Sequence, residues 1–322
     1  MQYGVIVGCG AMGNCHGHAY KSIPGVSIIA VVDMDRTKGE ALAAKLECRW
    51  ISTLSELEQP KIDFIDICLP THLHLPMILQ AIPFTRNIIC EKPLAVSEGE
   101  VIEIQKMVEE NGLHLMVAQV LRFWDTYTVV AQSISEKGLG TIHSISCERR
   151  QKRPSWSSNN WLMNISQSGG LVFDLMIHDI DYVVWKMGKP LSVMGNIVYA
   201  EDGCPAHAKA QLYYVDCTVD IFASWGMPGS FPGASSIEVI GSHEMICCDH
   251  DGRITRVDND GTREIPASYW DPYKEELKYF IHCCEEGISP SRCDIAQVIP
   301  SLEVARAIDE SARINRLIRL TE

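Results

Sequence analysis

Three short stretches of this 322-residue chain carry side chains suited to moving a proton beside a bound ligand. In Gly169-Gly170-Leu171-Val172-Phe173-Asp174-Leu175-Met176-Ile177-His178-Asp179-Ile180-Asp181, the spacing of Asp174, His178 and Asp181 is i, i+4 and i+7. On a helix that spacing places all three on one face. A histidine beside carboxylates exchanges a proton near neutral pH, the acid orienting the ring and supporting the imidazolium. The alternative is a merely polar stripe, yet Leu175, Ile177, Ile180 and Val184 make the helix largely apolar, and buried polar groups need partners or a purpose. In Glu91-Lys92-Pro93 an ion-pairable pair ends the apolar run Asn87–Cys90. Lys92 there fits proton transfer at a cleft rim and fits a solvated strand end equally well. Pro70-Thr71-His72-Leu73-His74 follows the run Ile62–Leu69. In an open parallel sheet that loop borders the ligand, although a proline stop with a threonine N-cap explains it too.

What must position these groups is read first at the N-terminus. Tyr3–Val7 is a short apolar strand, and Gly8-Cys9-Gly10-Ala11-Met12-Gly13 fills the G-x-G-x-x-G pattern where that strand turns into a helix. Gly8 permits the tight turn, Gly10 lets the backbone approach a pyrophosphate, and Gly13 lets the helix pack close to the strand. The helix N-terminus adds unpaired N–H groups and a positive dipole end. A second run, Val26–Val32, ends in Asp33-Met34, where the acid would accept from a ribose hydroxyl and repel a 2′-phosphate. The implied cofactor is NAD rather than NADP, although Arg36, three residues past Asp33, could reach a phosphate.

Farther along, apolar strand-like runs at 3–7, 26–32, 62–68, 87–91 and 114–118 alternate with helical stretches at 11–22, 36–46, 73–82 and 97–111. This is the pattern of a doubly wound parallel sheet. Beyond residue 120 the pattern changes. A helix at 124–137 leads into β-rich stretches at 142–149, 192–200, 208–215, 217–225, 235–241 and 244–249, interrupted by a helix at 171–187. Their hairpin-like spacing predicts a mostly antiparallel sheet. Helices at 272–286 and 295–317 close the chain. The expected fold is therefore α/β, with a Rossmann domain at 1–119 and a second α/β domain at 120–322. The two are expected to pack directly, with substrate in their cleft.

Bulk properties exclude several functions. A net charge of −13 disfavours nucleic acid and anionic membrane surfaces as partners. No apolar run spans a bilayer, and the N-terminal strand runs straight into the glycine turn, so a cytosolic protein without a signal peptide is expected. Thirteen cysteines without a C-x-x-C suggest reduced thiols used as small hydrophobes. His16-Gly17-His18 and His72-Leu73-His74 have no third ligand nearby in sequence, so no metal is expected.

Taken in order, the G-x-G-x-x-G unit, the P-T-x-x-H loop, the E-K-P strand end and the G-G-x-x-x-D-x-x-x-H-x-x-D helix resemble the Gfo/Idh/MocA family, along essentially the whole chain. The resemblance implies a Rossmann domain followed by an α/β domain on a large open sheet, whose face often forms the oligomer interface, so a homodimer or homotetramer. It implies that Lys92 is the catalytic lysine and that Asp174 and His178 contact substrate hydroxyls, His178 as the proton-accepting base. Pro70, Thr71 and His74 would lie next to the cofactor, and Glu91 beside the nicotinamide ribose. Arg122-Phe123 would help shape the cleft, and Trp156, Asn160 and Trp161 would line the substrate. The departure from the family's pattern is the turn Ile82–Asn87, where relatives carry a small, glycine-containing one. The implied activity is oxidation of a secondary hydroxyl on a sugar, sugar acid or inositol. Alternatives are a cofactor-retaining enzyme that oxidises, eliminates and re-reduces one sugar, and a non-catalytic NAD- or sugar-binding regulator.

Overall fold

The computed structural model describes residues 1–58, 61–136, 138–155, 157–268 and 270–320. Its chain divides into two compact units. The first comprises Met1–Val120 together with Asp271–Ile299. Strands β1 (Gln2–Val7), β2 (Val26–Val32), β3 (Arg49–Ile51), β4 (Phe64–Ile67), β5 (Asn87–Glu91) and β6 (His114–Ala118) form a parallel sheet in the order β3-β2-β1-β4-β5-β6. That is the doubly wound dinucleotide-binding order, with the switch point between β1 and β4. Helices α1 (Ala11–Lys21), α2 (Arg36–Leu46), α3 (His74–Ala81) and α4 (Glu98–Asn111) connect the strands. The strands are apolar because both sheet faces are covered; Val5, Ile6, Ile65, Ile67, Ile88 and Ile89 are wholly buried. Local chemistry sets the helix ends. Asp35 accepts from the N–H groups of Thr37 and Lys38 to start α2, and Ser97 with Glu100 forms a capping box on α4.

In the second unit, Leu121–Trp270 with Pro300–Glu322, α5 (Asp125–Ser135) leads into β7 (Ile142–Lys152). A short α6 (Ile165–Ser168) and a π-helical turn (Val172–Met176) precede α7 (Ile177–Met187). Then come β8 (Ser192–Tyr199), β9 (Pro205–Tyr213), β10 (Thr218–Met227), β11 (Ala234–Gly241), β12 (Met245–Cys248), β13 (Ile254–Asp258) and β14 (Gly261–Ile265). With the terminal β15 (Ile318–Arg319) they build a nine-stranded sheet, ordered β14-β13-β12-β11-β7-β10-β9-β8-β15. Only the central β7–β10 pair is parallel. The α/β class and the mostly antiparallel second sheet agree with the sequence reading.

The division of the chain differs from a cut at residue 119. Helix α8 (Pro272–Glu286) and the start of α9 (Ile295–Ile314) belong with the first unit. Leu277, Phe280 and Ile281 of α8 are buried, and Phe280 meets Phe64 of β4 edge-on with ring centroids 5.8 Å apart. The open edge of β6 is also used, since Val117 N–H donates to the Cys293 carbonyl at 2.9 Å. A parallel sheet whose last strand lacks a neighbour needs such cover.

Candidate active site

At the glycine turn, backbone geometry explains each glycine. Gly8 has φ +99°, and a Cβ there would fall 2.5 Å from the Cys68 carbonyl oxygen. At Gly13 a Cβ would fall 1.9 Å from the Gly8 carbonyl oxygen, so only glycine lets α1 sit against the turn. Gly10 differs. A Cβ there would meet nothing within 4 Å, which leaves room above the backbone for a ligand. Gly10 is also the N-cap of α1, with no side-chain cap and no acid in the first turn, so the positive helix end stays available to an anion. Ala11 is exposed and Met12 partly so. The Asp33 carboxylate accepts from Cys9 N–H at 2.7 Å and from Asp35 N–H at 2.8 Å, which fixes it beside the turn with lone pairs to spare. Met34 beside it is 92% exposed. These features fit a dinucleotide: a cradle for the pyrophosphate and an acceptor for ribose hydroxyls.

The next two loops are tied together. Pro70 is partly exposed and Thr71 buried, opening a short 3₁₀ turn. His74 is fully buried. Its Nδ1 lies 3.0 Å from the Pro93 carbonyl and its Nε2 2.9 Å from the Leu69 carbonyl. Burial pushes its pKa below the usual value. His74 thus supports the Glu91-Lys92-Pro93 strand end from behind. Lys92 is partly exposed at the end of β5, and its backbone N–H donates to Glu91 Oε2 at 3.1 Å.

Beneath that strand end lies a cluster the sequence did not reveal. His16 of α1 is fully buried, with Nδ1 2.9 Å from Asp66 Oδ2 and Nε2 3.2 Å from Glu91 Oε1. Cys68 Sγ stands 3.5 Å from His16 Nδ1 and 3.3 Å from Asp66 Oδ1. The neighbouring His18 is exposed, so the sequence pair does not act together. Among the described residues, His16, Asp66 and Cys68 alone have metal-ligand spacing, their atoms all within 4.8 Å. Hydrogen bonds among the three account for those distances. Residues 50 and 52 positions away supplied no local signal.

In the second unit, every residue from Gly169 to Val184 is buried except Asp174 and His178. The two therefore emerge from an otherwise buried segment. Asp174 lies in the π-helical turn and His178 in the first turn of α7. The expectation that Asp181 shares their face is corrected: it is 1% exposed and faces the interior. A π-helical turn takes more residues per revolution, so it shifts the later positions off the α-helical i, i+7 alignment. Arg122, expected among the substrate contacts, is fully buried. Its Nε and Nη2 donate to Asp181 at 2.8 and 2.7 Å, and Ser301 Oγ adds a third bond to that carboxylate at 3.0 Å. Arg149 likewise grips Asp179 at 2.8 and 2.9 Å. Two guanidinium–carboxylate pairs, one fully and one largely buried, thus hold the residues that follow His178. Asn160 is exposed in a left-handed conformation (φ +57°), and Trp161 is partly exposed. Trp156 lies outside the described residues.

Comparison with known proteins decides the family. Residues 3–119 match the oxidoreductase family model with the NAD-binding Rossmann fold, and residues 127–247 match the GFO/IDH/MocA C-terminal domain. The chain belongs to the Gfo/Idh/MocA family. It is 31% identical to the uncharacterised oxidoreductase YrbE of Bacillus subtilis, over 58% of this chain and 54% of that protein. It is 25% identical to inositol 2-dehydrogenase of Rhizobium meliloti, over 96% of this chain and 98% of the relative. An Agrobacterium radiobacter oxidoreductase, solved with NAD+, L-tartaric acid and magnesium, shares the fold with TM-score 0.85 and 19% identity. That match covers 99% of this chain and 98% of the other. As a Gfo/Idh/MocA protein the chain is an oxidoreductase, and NAD is its cofactor. No helix among the described residues is long and apolar enough to cross a membrane.

Proposed function

We propose that the protein transfers a hydride between NAD and a secondary hydroxyl of a sugar, sugar acid or inositol. The observation that carries this reading is the selective emergence of Asp174 and His178 from a buried segment, in a chain that also keeps a partly exposed Lys92 just past the end of β5. Bound NAD supplies the hydride acceptor. His178 accepts the hydroxyl proton, with Asp174 holding the ring in the productive tautomer. Lys92 donates a charge-assisted hydrogen bond to the developing alkoxide. Asn160 and Trp161 are the accessible candidates for gripping the remaining hydroxyls and apolar ring face, and Arg122 acts through Asp181 on α7. NAD over NADP is supported by Asp33 and by Arg36, whose Nε is 2.8 Å from Glu40 and whose guanidinium stacks 5.5 Å above Trp50. The full-length inositol 2-dehydrogenase relative favours a polyhydroxylated ring as substrate.

The test is NADH formation by the purified protein across inositols, aldoses, polyols and sugar acids, with Lys92→Met beside it. Lys92→Met is expected to lower kcat on the order of 10²–10³-fold while NAD still binds. Unimpaired turnover in that variant would sink the assignment.

A further inference from the structure

The buried histidine of α1 is used by nothing in the proposed reaction, yet it is joined to the residue that precedes Lys92. His16 lies between two carboxylates: Asp66 in the middle of β4, 2.9 Å from Nδ1, and Glu91 at the end of β5, 3.2 Å from Nε2. The first contact is a hydrogen bond. The second is nearly as close but is not a hydrogen bond, and it becomes an ion pair when the ring is protonated. A neutral ring carries one N–H, so it would set a nitrogen lone pair against one of the two acids. Only the doubly protonated ring suits both. The other oxygen of Glu91 accepts from the backbone N–H of Lys92 at 3.1 Å. A continuous chain of contacts therefore runs Asp66–His16–Glu91–Lys92.

We infer that His16 is a positioning residue, which as a buried imidazolium clamps Glu91 and through it sets the position and electrostatics of Lys92. This rests on the assignment of Lys92 to the reaction. The groups facing His16 are Cys15 of its own helix, Asp66 from β4 and Cys68 just beyond it, Glu91 from β5, and Tyr273 and Glu276 from α8, while Tyr20 of α1 faces Asp66. Burial works against the imidazolium, and the Asp66 carboxylate with Cys68 outweighs it, leaving the ring's pKa well above the usual 6.5. Glu276 is fully buried, and neither carboxyl oxygen has a hydrogen-bond partner among the described residues. Burial pushes its pKa well up, which favours the neutral acid. The cluster thus sets one cation against two anions, and loss of the cation leaves Glu91 unneutralised beside Lys92.

Two measurements test the inference. In histidine-selective ¹⁵N NMR of the full chain, one histidine signal is expected to keep both ring nitrogens protonated well above the pH at which an ordinary ring of pKa about 6.5 becomes neutral. That signal is absent from His16→Gln. A His16 ring that titrates near the ordinary value overturns the inference, and this reading does not need the variant to fold. In steady-state kinetics His16→Gln is expected to lower kcat about 10- to 100-fold, the scale of a small displacement of a reacting group, with NAD affinity within about threefold. Its basic limb in the pH–rate profile moves to higher pH, because an unneutralised Glu91 carboxylate favours the ammonium form of Lys92. A loss of active protein alone would leave that limb in place, and an unmoved limb therefore refutes the positioning role. Lys92→Met measured in parallel separates the failures. If it retains turnover, the Lys92 assignment falls and the inference with it. If it is dead and His16→Gln keeps the wild-type kcat and profile, only the inference falls.

Discussion

The glycine turn makes a prediction in which stability and cofactor binding separate at two positions three residues apart. At Gly10 the backbone is extended (φ −75°, ψ −157°), a conformation open to alanine, and an added Cβ meets nothing within 4 Å. Gly10→Ala should therefore fold normally. Alanine is the poorer N-cap by a few tenths of a kcal/mol or more, but it also removes about 0.4–1 kcal/mol of unfolded-chain entropy, and the two offset. The space that the methyl fills is the space read as the approach of the pyrophosphate. Losing one charge-assisted hydrogen bond there costs about 1.5–3 kcal/mol, or about ten- to a hundredfold in NAD affinity.

At Gly13 the same methyl would lie 1.9 Å from the Gly8 carbonyl oxygen, and Cβ atoms essentially never approach a heavy atom within 3.0 Å. The turn or the helix must retreat by at least about 1.1 Å, with an overpacking cost of about 1–3 kcal/mol. The assays are thermal unfolding without ligand and a fluorescence titration with NADH. Gly13→Ala should unfold earlier and bind poorly, whereas Gly10→Ala should keep its midpoint and bind poorly. Wild-type affinity in Gly10→Ala would refute the placement of the pyrophosphate. An unchanged midpoint in Gly13→Ala would refute the claimed closeness of α1 to the turn.

Further outcomes are expected elsewhere. Arg122→Met strands the buried Asp181 carboxylate and should destabilise the protein by about 3–5 kcal/mol, read by chemical denaturation; a loss below about 1 kcal/mol would show that the pair is not buried as described. His178→Asn should lower kcat on the order of 10²–10⁴-fold and flatten the acid limb of its pH profile; a retained limb assigns the base to another group. Burial raises the Glu276 pKa, so the folded protein holds a proton that the unfolded chain releases above about 4.5. Stability from this group is present below that value and is lost as pH rises through the folded value. Glu276→Gln should therefore match wild type near pH 4 and exceed it increasingly as pH rises above about 4.5 in thermal unfolding; parallel curves would show that Glu276 is ionised in the fold.

Much of the architecture was legible because it is written locally. Helix α2 spans Arg36–Leu46 as its periodicity predicts, and α8 begins at Pro272 behind Asp271, whose side chain accepts from the Tyr273 and Lys274 N–H groups. Strands β3, β13, β14 and β15 escaped notice for a physical reason. Arg49-Trp50-Ile51 and Ile318-Arg319 are too short to show an alternation, and Gly261–Ile265 is an exposed, polar edge. The return of α8 to the first unit leaves no trace in neighbouring residues, since its contact with Phe64 spans more than two hundred positions. The site divides the same way. Gly8, Gly10, Gly13 and Asp33 form a compact pattern with a fixed spacing. The burial of Arg122 against Asp181, and of His16 against Asp66, depends on pairings 59 and 50 residues apart. The π-helical turn, which moves Asp181 off its α-helical alignment with Asp174, has no composition of its own.

The two units meet one physical requirement by the same means. A reactive side chain at an element's end is useful only if its backbone does not wander, and loops or first turns are where backbones wander most. Beneath Lys92 the fixed points are His16, Asp66 and Glu91; just after His178 in sequence they are Arg149 with Asp179 and Arg122 with Asp181. Buried ion pairs seldom raise stability over well-packed apolar side chains, so thermodynamic stability alone gives little reason for three such groupings so near the candidate catalytic residues. Positional specificity does give one, because a bidentate guanidinium–carboxylate contact fixes orientation as well as distance. On that reasoning the buried charges of this protein mark where its fold is held most tightly, and the residues that they hold are those where misplacement would be felt first in turnover.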